Sequence, residues 1–337
     1  MTAALTSLHR GRAAVDSALR AALQRLDEES RRQAAYHLCF TDSDGAPAST
    51  GGGKAVRPAL ALLSAEAVGA PDAVALPGAV AVELVHNFSL LHDDLIDGDR
   101  QRRHRPTVWS VWGAPSAILT GDALLGLAME ALLDVGSPAG ARAAQLLARA
   151  VRDLIRGQVD DVAFERRREV SLDECLRMAS GKTGALMSAS AAIGAVLAGG
   201  GQPVVAALGS FGAELGLAFQ LVDDLLGIWG DPAVTGKPVY SDLRSRKKSL
   251  PVTYAVTHGG AAGRELAGWL AEPGEADATA LRAAAALVAA GGGRDWATEE
   301  AGRRLAAGVR ALETVPLTDA ARQELIGLGE FLVAREK

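Results

Sequence analysis

Two acidic stretches hold the residue types from which chemistry can be built. One spans Glu83–Thr107 and contains HDDLIDGDRQRRHRPT; the other spans Phe219–Pro238 and contains QLVDDLLGIWGDPAVTGKP. Each sets an aspartate pair, Asp93-Asp94 or Asp223-Asp224, at the end of a strongly apolar run. Asp93 and Asp97 are four residues apart, so on a helix both carboxylates leave one face. Like charges at that spacing destabilise a helix, and something cationic belongs between them. Carboxylate oxygens with water suit Mg²⁺, which keeps several waters and pairs with substrate phosphates. One such stretch reads equally well as a charged, solvated helix end. Two, both preceded by residues that should be buried, favour a metal-dependent site.

The cations point the same way. The chain has 35 Lys+Arg, of which only six are lysine, so generic positive charge is carried by arginine. Five of the six lysines stand at junctions rich in Gly, Ser or Thr: Lys54 in GGGKAVRP, Lys182 in SGKTG, Lys237 in TGKP, and Lys247 and Lys248 in RSRKKS. Such junctions are where anions bind. Arg57 belongs to the first of them, and Arg102 and Arg103 follow the first acidic stretch directly. SGKTG is not a nucleotide-binding P-loop, because the GxxxxGK[ST] spacing and a preceding strand are both missing. The run RQRRHR resembles a nucleic-acid patch, yet Asp93, Asp94, Asp97 and Asp99 abut it and would repel phosphates without a metal. His86, His92 and His104 tempt a zinc reading, but the surroundings are carboxylate-rich and no paired His/Cys spacing is present. His92 reads instead as a structural hydrogen bonder beside Asp93. Trp109 and Trp112 read as packing residues, and Arg166–Arg168 as a solvated turn. The residues by themselves point to a helical cavity with two facing carboxylate sets, divalent metal, and cations for one or more diphosphates.

The elements that must position these groups are helical. Ala and Leu dominate, alternating β-branched residues are nearly absent, and Gly or Pro recurs at helical intervals. One long amphipathic helix is expected over Leu5–Ala35, then a loop over Thr41–Gly53. Helices are expected over Lys54–Val68, Asp72–Asp97, Pro115–Leu133, Ala139–Phe164, Ser171–Ser180, Lys182–Ala198 and Pro203–Leu226. Gly227–Lys248 reads as irregular, and further Ala-rich helices run from Leu250 to about Ala334. Within these, Ala276–Gly293 reads as a packed helix carried by Leu281, Leu287 and Val288. A single all-α domain over 1–337 is expected: an N-terminal helix (1–35), a motif-bearing core (54–251) and C-terminal helices (252–337).

Composition sets the remaining limits. In 337 residues the hydrophobic fraction is 49% and the net charge −5, which excludes global disorder and gives no basic face for nucleic acid. Two well-separated cysteines, Cys39 and Cys175, fit a reducing compartment and should be inert. No secretory signal is seen after Met1, and the weakly polar run over Ala185–Gly201 falls short of the ~20 apolar residues of a membrane span. A cytoplasmic protein without a transmembrane segment is expected.

These motifs, in this order, resemble the trans-isoprenyl diphosphate synthase (polyprenyl synthetase) family from about Gly51 to Pro251. GGGKAVRP resembles the family's GKxxRP element, and HDDLIDGDRQRR its first aspartate-rich motif with the arginine pair behind it. GKTG, FQLVDD, TGKP and DLRSRKKS follow in family order. The resemblance implies antiparallel helices around a deep central cavity, usually in a homodimer. It also implies head-to-tail condensation of isopentenyl diphosphate with an allylic diphosphate, releasing pyrophosphate. By the same resemblance Asp93, Asp97 and Asp223 hold Mg²⁺, three ions in all, against the allylic diphosphate. Asp94 and Asp224 act through bound water or at one remove. Arg102, Lys182 and Lys237 contact that diphosphate with Lys247 nearby. Lys54, Arg57, His86 and Arg103 match the isopentenyl diphosphate positions, and Thr183 and Gln220 flank the reacting carbons.

The second motif departs from the family's DDxxD: the partner four residues after Asp223 is Gly227, which offers no ligand, and Asp231 is the nearest substitute. An aspartate introduced at 227 is expected to be neutral or mildly activating if the site geometry is of the family type; strong inhibition would mean that this second motif is built differently. Three classes remain open: an elongating prenyltransferase, a non-catalytic partner subunit that keeps the fold, and a terpene cyclase. A cyclase would lack the GKxxRP element. For product length, Phe88 lies five residues before Asp93, about 7.5 Å deeper along a helix axis, with small Ser89 beside it. That combination resembles geranylgeranyl diphosphate synthases of the archaeal kind, implying a C20 product with Phe88 as floor; farnesyl or longer products are the alternatives.

Overall fold

The structure, a computed structural model, describes residues 3–48, 55–232, 238–272 and 274–334. Two candidate residues, Lys54 and Lys237, lie outside them. Among the described residues the chain is all-α apart from one two-stranded ribbon and an isolated Thr41–Pro47 bridge. Its contacts divide it into two compact units. The first comprises Met1–Val151, Ala189–Gly209 and Thr314–Leu328; the second comprises Arg152–Ser188, Ser210–Glu313 and Gly329–Lys337.

The first unit begins with α1 (Ala3–Leu23) and α2 (Glu28–His37), where one continuous helix was expected. The break has a local cause. Asp27 accepts a hydrogen bond from Ser30 N and caps α2, with Glu28 and Glu29 favourably placed in its first turn. The next helix, α3 (Val56–Glu66), is apolar nearly all round, and Leu60, Leu62 and Leu63 are all buried. It packs on α4 (Asp72–Ile96), which packs in turn on α6 (Ala114–Leu133). Between them lie the ribbon β1 (Gln101–Arg102) and β2 (Arg105–Pro106) and the short α5 (Val108–Trp112). Gly121 of α6 lies under the His92 ring, where a Cβ would come within 2.6 Å of Cδ2; only glycine permits that approach.

The second unit holds the later motifs. Helix α7 (Pro138–Arg166) enters it at Arg152, and α8 (Leu172–Ala179) opens with a full capping box between Ser171 and Glu174. A π-helical turn, Ser180–Gly184, leads into α9 (Ala185–Leu197), so the expected helix from Lys182 starts with a wide turn. Helix α10 (Gln202–Trp229) runs three residues beyond Leu226, and α11 (Ser241–Arg244) is a single turn in the stretch read as irregular. Then come α12 (Leu250–His258), α13 (Gly260–Ala271), α14 (Ala278–Ala290), α15 (Gly293–Glu313) and α16 (Asp319–Val333). Leu217, Leu221 and Leu225 of α10 bury against Cys175 of α8 and Ala297 and Ala301 of α15. Leu281 and Val288 of α14 bury in a second cluster with Val252 and Leu266.

Helices α4, α6 and α10 are long and apolar enough to cross a membrane by length and composition, a feature that the sequence reading missed by following the Ala185–Gly201 run. The apolar window of α4 is 67% buried within the structure and that of α6 only 39%. On and beside α6, Ile118, Leu119 and Leu133 are exposed, as are Ile96 and Val111.

Candidate functional site

In the first unit α4 delivers Asp93 half-buried, Asp94 buried and Asp97 exposed at its C-terminal end. Asp94 is 1% exposed and accepts from Arg102 Nε at 2.7 Å. Burial pushes its carboxyl up to about 6, against the attraction of Arg102. Asp94 is therefore an anchor for the ribbon rather than an outward-facing ligand. The ribbon turns at Arg103 and His104, both left-handed with φ 51° and 60°. A two-residue turn of this kind normally takes Asn-Gly, so two bulky residues here store backbone strain. The strained turn sends Arg102 to Asp94 and brings Arg103 near Glu83, His86 and His37, whose proton affinities it perturbs.

Three of the four expected isopentenyl diphosphate residues, Arg57, His86 and Arg103, gather here. Burial, then Arg57 and Arg103, hold His86 well below the ordinary imidazole range, so it is neutral. Burial raises Glu83 while Arg57 opposes it, and its Oε1 accepts from Asn87 Nδ2 at 3.1 Å. Glu83 lines a small cavity with Arg103, Arg12 and Asp16. Sequence reasoning passed over Glu83 and His37. Glu83 had a signal: it lies three residues before His86 on the same helix face. His37 had none, since α2 is remote in sequence. His92 does what was expected, its Nε2 lying 3.2 Å from Ile118 O. Phe88 is 5% exposed, its ring edge-on to His92 at 4.8 Å, and Ser89 Oγ donates to His86 O. Trp112 packs edge-on against Tyr36.

In the second unit the π-turn places Lys182 and Thr183. Its geometry depends on glycines from both sides. A Cβ on Gly157 of α7 would sit 2.8 Å from Gly181 C, and one on Gly216 of α10 would sit 2.8 Å from Gly184 Cα. The glycines of SGKTG thus serve close packing, which leaves the wide turn to aim its side chains. Lys182 Nζ pairs with Asp161 Oδ2 of α7 at 2.7 Å. Thr183 Oγ1 donates to Gln220 Oε1 at 2.6 Å, and Gln220 Nε2 donates to Asp224 Oδ1 at 2.8 Å. Asp224 Oδ2 accepts from Leu250 N, the start of α12, at 2.9 Å. Burial pushes Asp224 up to about 6; Lys247 pulls the other way. Half-buried Asp223, one residue earlier, belongs to none of these bonds.

The gap at Gly227 is filled by a residue that the sequence reading did not single out. A Cβ on Gly227 would lie 2.5 Å from Cγ and 2.6 Å from Oδ1 of Asp242. The carboxylate of α11 therefore occupies the place where the missing side chain would begin. Tyr240 N donates to Ile228 O and Ser241 Oγ to Gly227 O at 3.1 Å, stitching α11 to the end of α10. An aspartate at 227, expected to be neutral or mildly activating, would have to displace the Asp242 carboxylate. Asp242 lies in the DLRSRKKS run, but nothing in the spacing announces the contact.

Among the described residues, no three His, Cys, Asp or Glu side chains gather closely enough to form a metal site by themselves. Asp93 and Asp97 on one face of α4, and Asp223 on α10, offer hard oxygen donors in ones and twos. That fits Mg²⁺, which keeps water and takes other ligands from substrate phosphate, and does not fit zinc.

Residues 47–288 match the family model described as polyprenyl synthetase. The chain belongs to the polyprenyl synthetase family. It is 54% identical over 94% of its length, and 89% of the relative's, to the (2E,6E)-farnesyl diphosphate synthase of Mycobacterium tuberculosis. It is 44% identical to the geranylgeranyl diphosphate synthase of the same organism, over 98% of this chain and 93% of the other. The crystal structure of a polyprenyl synthetase from Streptomyces coelicolor superposes with a TM-score of 0.94 at 50% identity, covering 98% of this chain and all (100%) of that one. The fold is that of the isoprenoid synthases, and membership excludes the terpene cyclase reading. In polyprenyl synthetase terms the GKTG turn and both aspartate pairs are present, with Asp242 set against Gly227.

Proposed function

We propose that this trans-isoprenyl diphosphate synthase extends an allylic diphosphate with isopentenyl diphosphate and stops at C20. The observation that carries the catalytic reading is a shared construction. In each unit the second aspartate of the pair, Asp94 or Asp224, is buried and anchors a following cationic segment, while Asp93 and Asp223 stay half-buried at the helix end. The buried pair would serve a non-catalytic subunit equally; the retained Asp93 and Asp223, half-buried beside those anchors, are what favour a catalytic chain.

Lys54, Arg57, His86 and Arg103 bind isopentenyl diphosphate; neutral His86 serves as hydrogen-bonding partner and the arginines as charge. Asp93, Asp97 and Asp223 are the residues that hold Mg²⁺, three ions by family resemblance. Bound Mg²⁺ supplies charge neutralisation of the diphosphate leaving group. Arg102, Lys182 and Lys237, with Lys247 nearby, stabilise the same group as the allylic C–O bond ionises. Thr183 and Gln220, which by family resemblance flank the reacting carbons, are held to each other by a hydrogen bond that supports a positioning role. The isopentenyl double bond attacks the allylic cation, and released pyrophosphate takes the final proton.

Buried Phe88 with small Ser89 beside it supports C20. A C15 product is the second reading, favoured by the name of the 54% identical mycobacterial relative. The apolar side chains exposed on α6, Leu119 at 64% and Leu133 at 57%, support a second copy of this chain as partner. Both cysteines are free thiols, which supports a reducing, cytoplasmic setting. Incubation with Mg²⁺, geranyl or farnesyl diphosphate and labelled isopentenyl diphosphate, with products resolved by length, tests the reading. Label in C20 is expected. Accumulation at C15 transfers the assignment to the second reading, and no elongation at all refutes both.

A further inference from the structure

Arg246 stands where a helix end ordinarily has a glycine. Helix α11 closes with two backbone bonds, Arg246 N to Leu243 O at 3.0 Å and Lys247 N to Asp242 O at 2.8 Å. That pair is a Schellman ending, which calls for a left-handed residue after the cap. Arg246 takes that conformation, with φ 52°. Glycine adopts it without penalty, and a residue with a side chain does not. The surroundings show how the arginine is engaged. Its guanidinium lies over the Trp269 ring, 4.3 Å from the centroid, and its Nη1 donates to Trp269 O. Nη2 reaches Gly274 O at 3.5 Å. Trp269 lies in the last turn of α13, where the carbonyls carry the negative end of the helix dipole, and its carbonyl also accepts from Glu272 N at 3.2 Å. One residue thus closes two helices, α11 through its backbone and α13 through its side chain.

The residue that follows is Lys247. Its amide closes the turn on Asp242 O, and its charge acts on the carboxyl of Asp224. The rest of the segment is anchored too. Leu243 of α11 is wholly buried in the cluster on which Trp269 packs, Asp242 sits against Gly227, and Lys248 Nζ donates to Phe164 O at 2.9 Å. A turn needed only to reverse the chain would be closed at lower cost by glycine. A guanidinium, by contrast, can stack on a ring and donate in its own plane at once. We propose that Arg246 is a positioning residue for the allylic site: clamped on Trp269, it holds the turn after α11 and so sets Lys247 beside the second aspartate pair. The proposal rests on the prenyltransferase reading above, which gives Lys247 its diphosphate.

The test gives the turn the residue that its backbone prefers. Arg246→Gly should keep its helicity and melt near the parent, because strain is relieved as the clamp is lost. Hydrogen exchange at the Lys247 amide should nevertheless speed up by about tenfold or more, as the turn opens locally. The KM for geranyl diphosphate should rise by about tenfold, the loss typical of one misplaced charge-assisted contact, with the isopentenyl diphosphate KM little changed. Trp269→Leu, from the other side of the clamp, should give the same pattern, and the double variant should be no worse than the poorer single one. Arg246→Lys keeps the charge without the flat stack and should restore little. Unaltered Lys247 exchange with an unaltered allylic KM in Arg246→Gly overturns the proposal. So does an equal rise in both KM values, which marks a general disturbance, or additive losses in the double variant. If the parent fails to elongate while Lys247 exchange still depends on Arg246, the prenyltransferase reading falls and the clamp stands.

Discussion

Placing a carboxylate at position 227 would restore the common DDxxD pattern, yet the structure makes it a damaging change. The new Cβ would lie 2.5 Å from Asp242 Cγ and 2.6 Å from Oδ1, well inside contact distance. The Tyr240 N–Ile228 O and Ser241 Oγ–Gly227 O bonds hold the backbone of α11 to α10, so relief must come from the short Asp242 side chain, whose Oδ1 accepts from Ser241 Oγ at 3.3 Å. Overpacking at this level costs about 1–3 kcal/mol. Replacing a helical glycine returns up to about 1 kcal/mol. Gly227→Ala should therefore destabilise by about 1 kcal/mol net. An aspartate adds a second carboxylate beside Asp242; at about 4 Å and an effective dielectric constant near 20 the repulsion is about 4 kcal/mol. Metal-free Gly227→Asp should thus lose up to about 5 kcal/mol, less with Mg²⁺ or high salt, and most of its turnover. The decisive comparison is Gly227→Asp/Asp242→Ala, which returns one carboxylate to that space and should recover stability and much of the activity. Thermal melts with and without Mg²⁺, with isopentenyl incorporation, read both quantities. A Gly227→Asp protein melting and turning over like the parent, with no gain from Asp242→Ala, would refute the reasoning.

Four further outcomes follow from the same geometry. Asp224 has a folded pKa of about 6, raised above its ordinary 3.8, so its stabilising contribution is greatest below pH ~4 and is lost as pH rises through 6; the metal-free parent should lose up to about 2–3 kcal/mol from this group between pH 4 and 7.5, and Asp224→Asn, which offers one acceptor oxygen to the two donors Gln220 Nε2 and Leu250 N, should flatten that pH dependence of the melt and reduce activity. Phe88→Ala should shift products beyond C20 with isopentenyl KM little changed, and an unchanged product distribution removes Phe88 as the floor. Leu119→Glu, on the exposed face of α6, should convert a dimer to monomer in light scattering without loss of helicity; a mass unaltered by the change counts against that face. Gly157→Ala should overlap the Gly181 backbone, costing about 1–3 kcal/mol and impairing turnover through Lys182, whereas a neutral melt and full activity would show that the π-turn can move.

The sequence by itself determined the helices and the order of the site. Periodicity, Gly/Pro punctuation and the Asp-rich ends are local signals, and α3, α4, α6, α7 and α10 lie within a few residues of expectation. The break between α1 and α2 was also local, written in the Asp27 cap, and was overlooked because amphipathic spacing continues across it. Asp93, Asp97, Asp223, Arg57, His86 and Arg103 were singled out as candidates from motif, spacing and family resemblance alone. Tertiary structure decided what each acidic residue does. Asp94 and Asp224 differ from their neighbours by burial and by the partners packing brings, a ribbon arginine and the first amide of α12. The left-handed Arg103–His104 turn, the glycine cradle around SGKTG and the seat of Asp242 against Gly227 are likewise invisible along the chain. Secondary structure is set by interactions a few residues apart, which sequence periodicity records. The approach of Asp242 to Gly227, or of Gly157 to Gly181, is set by how whole helices pack, and no local pattern encodes that distance.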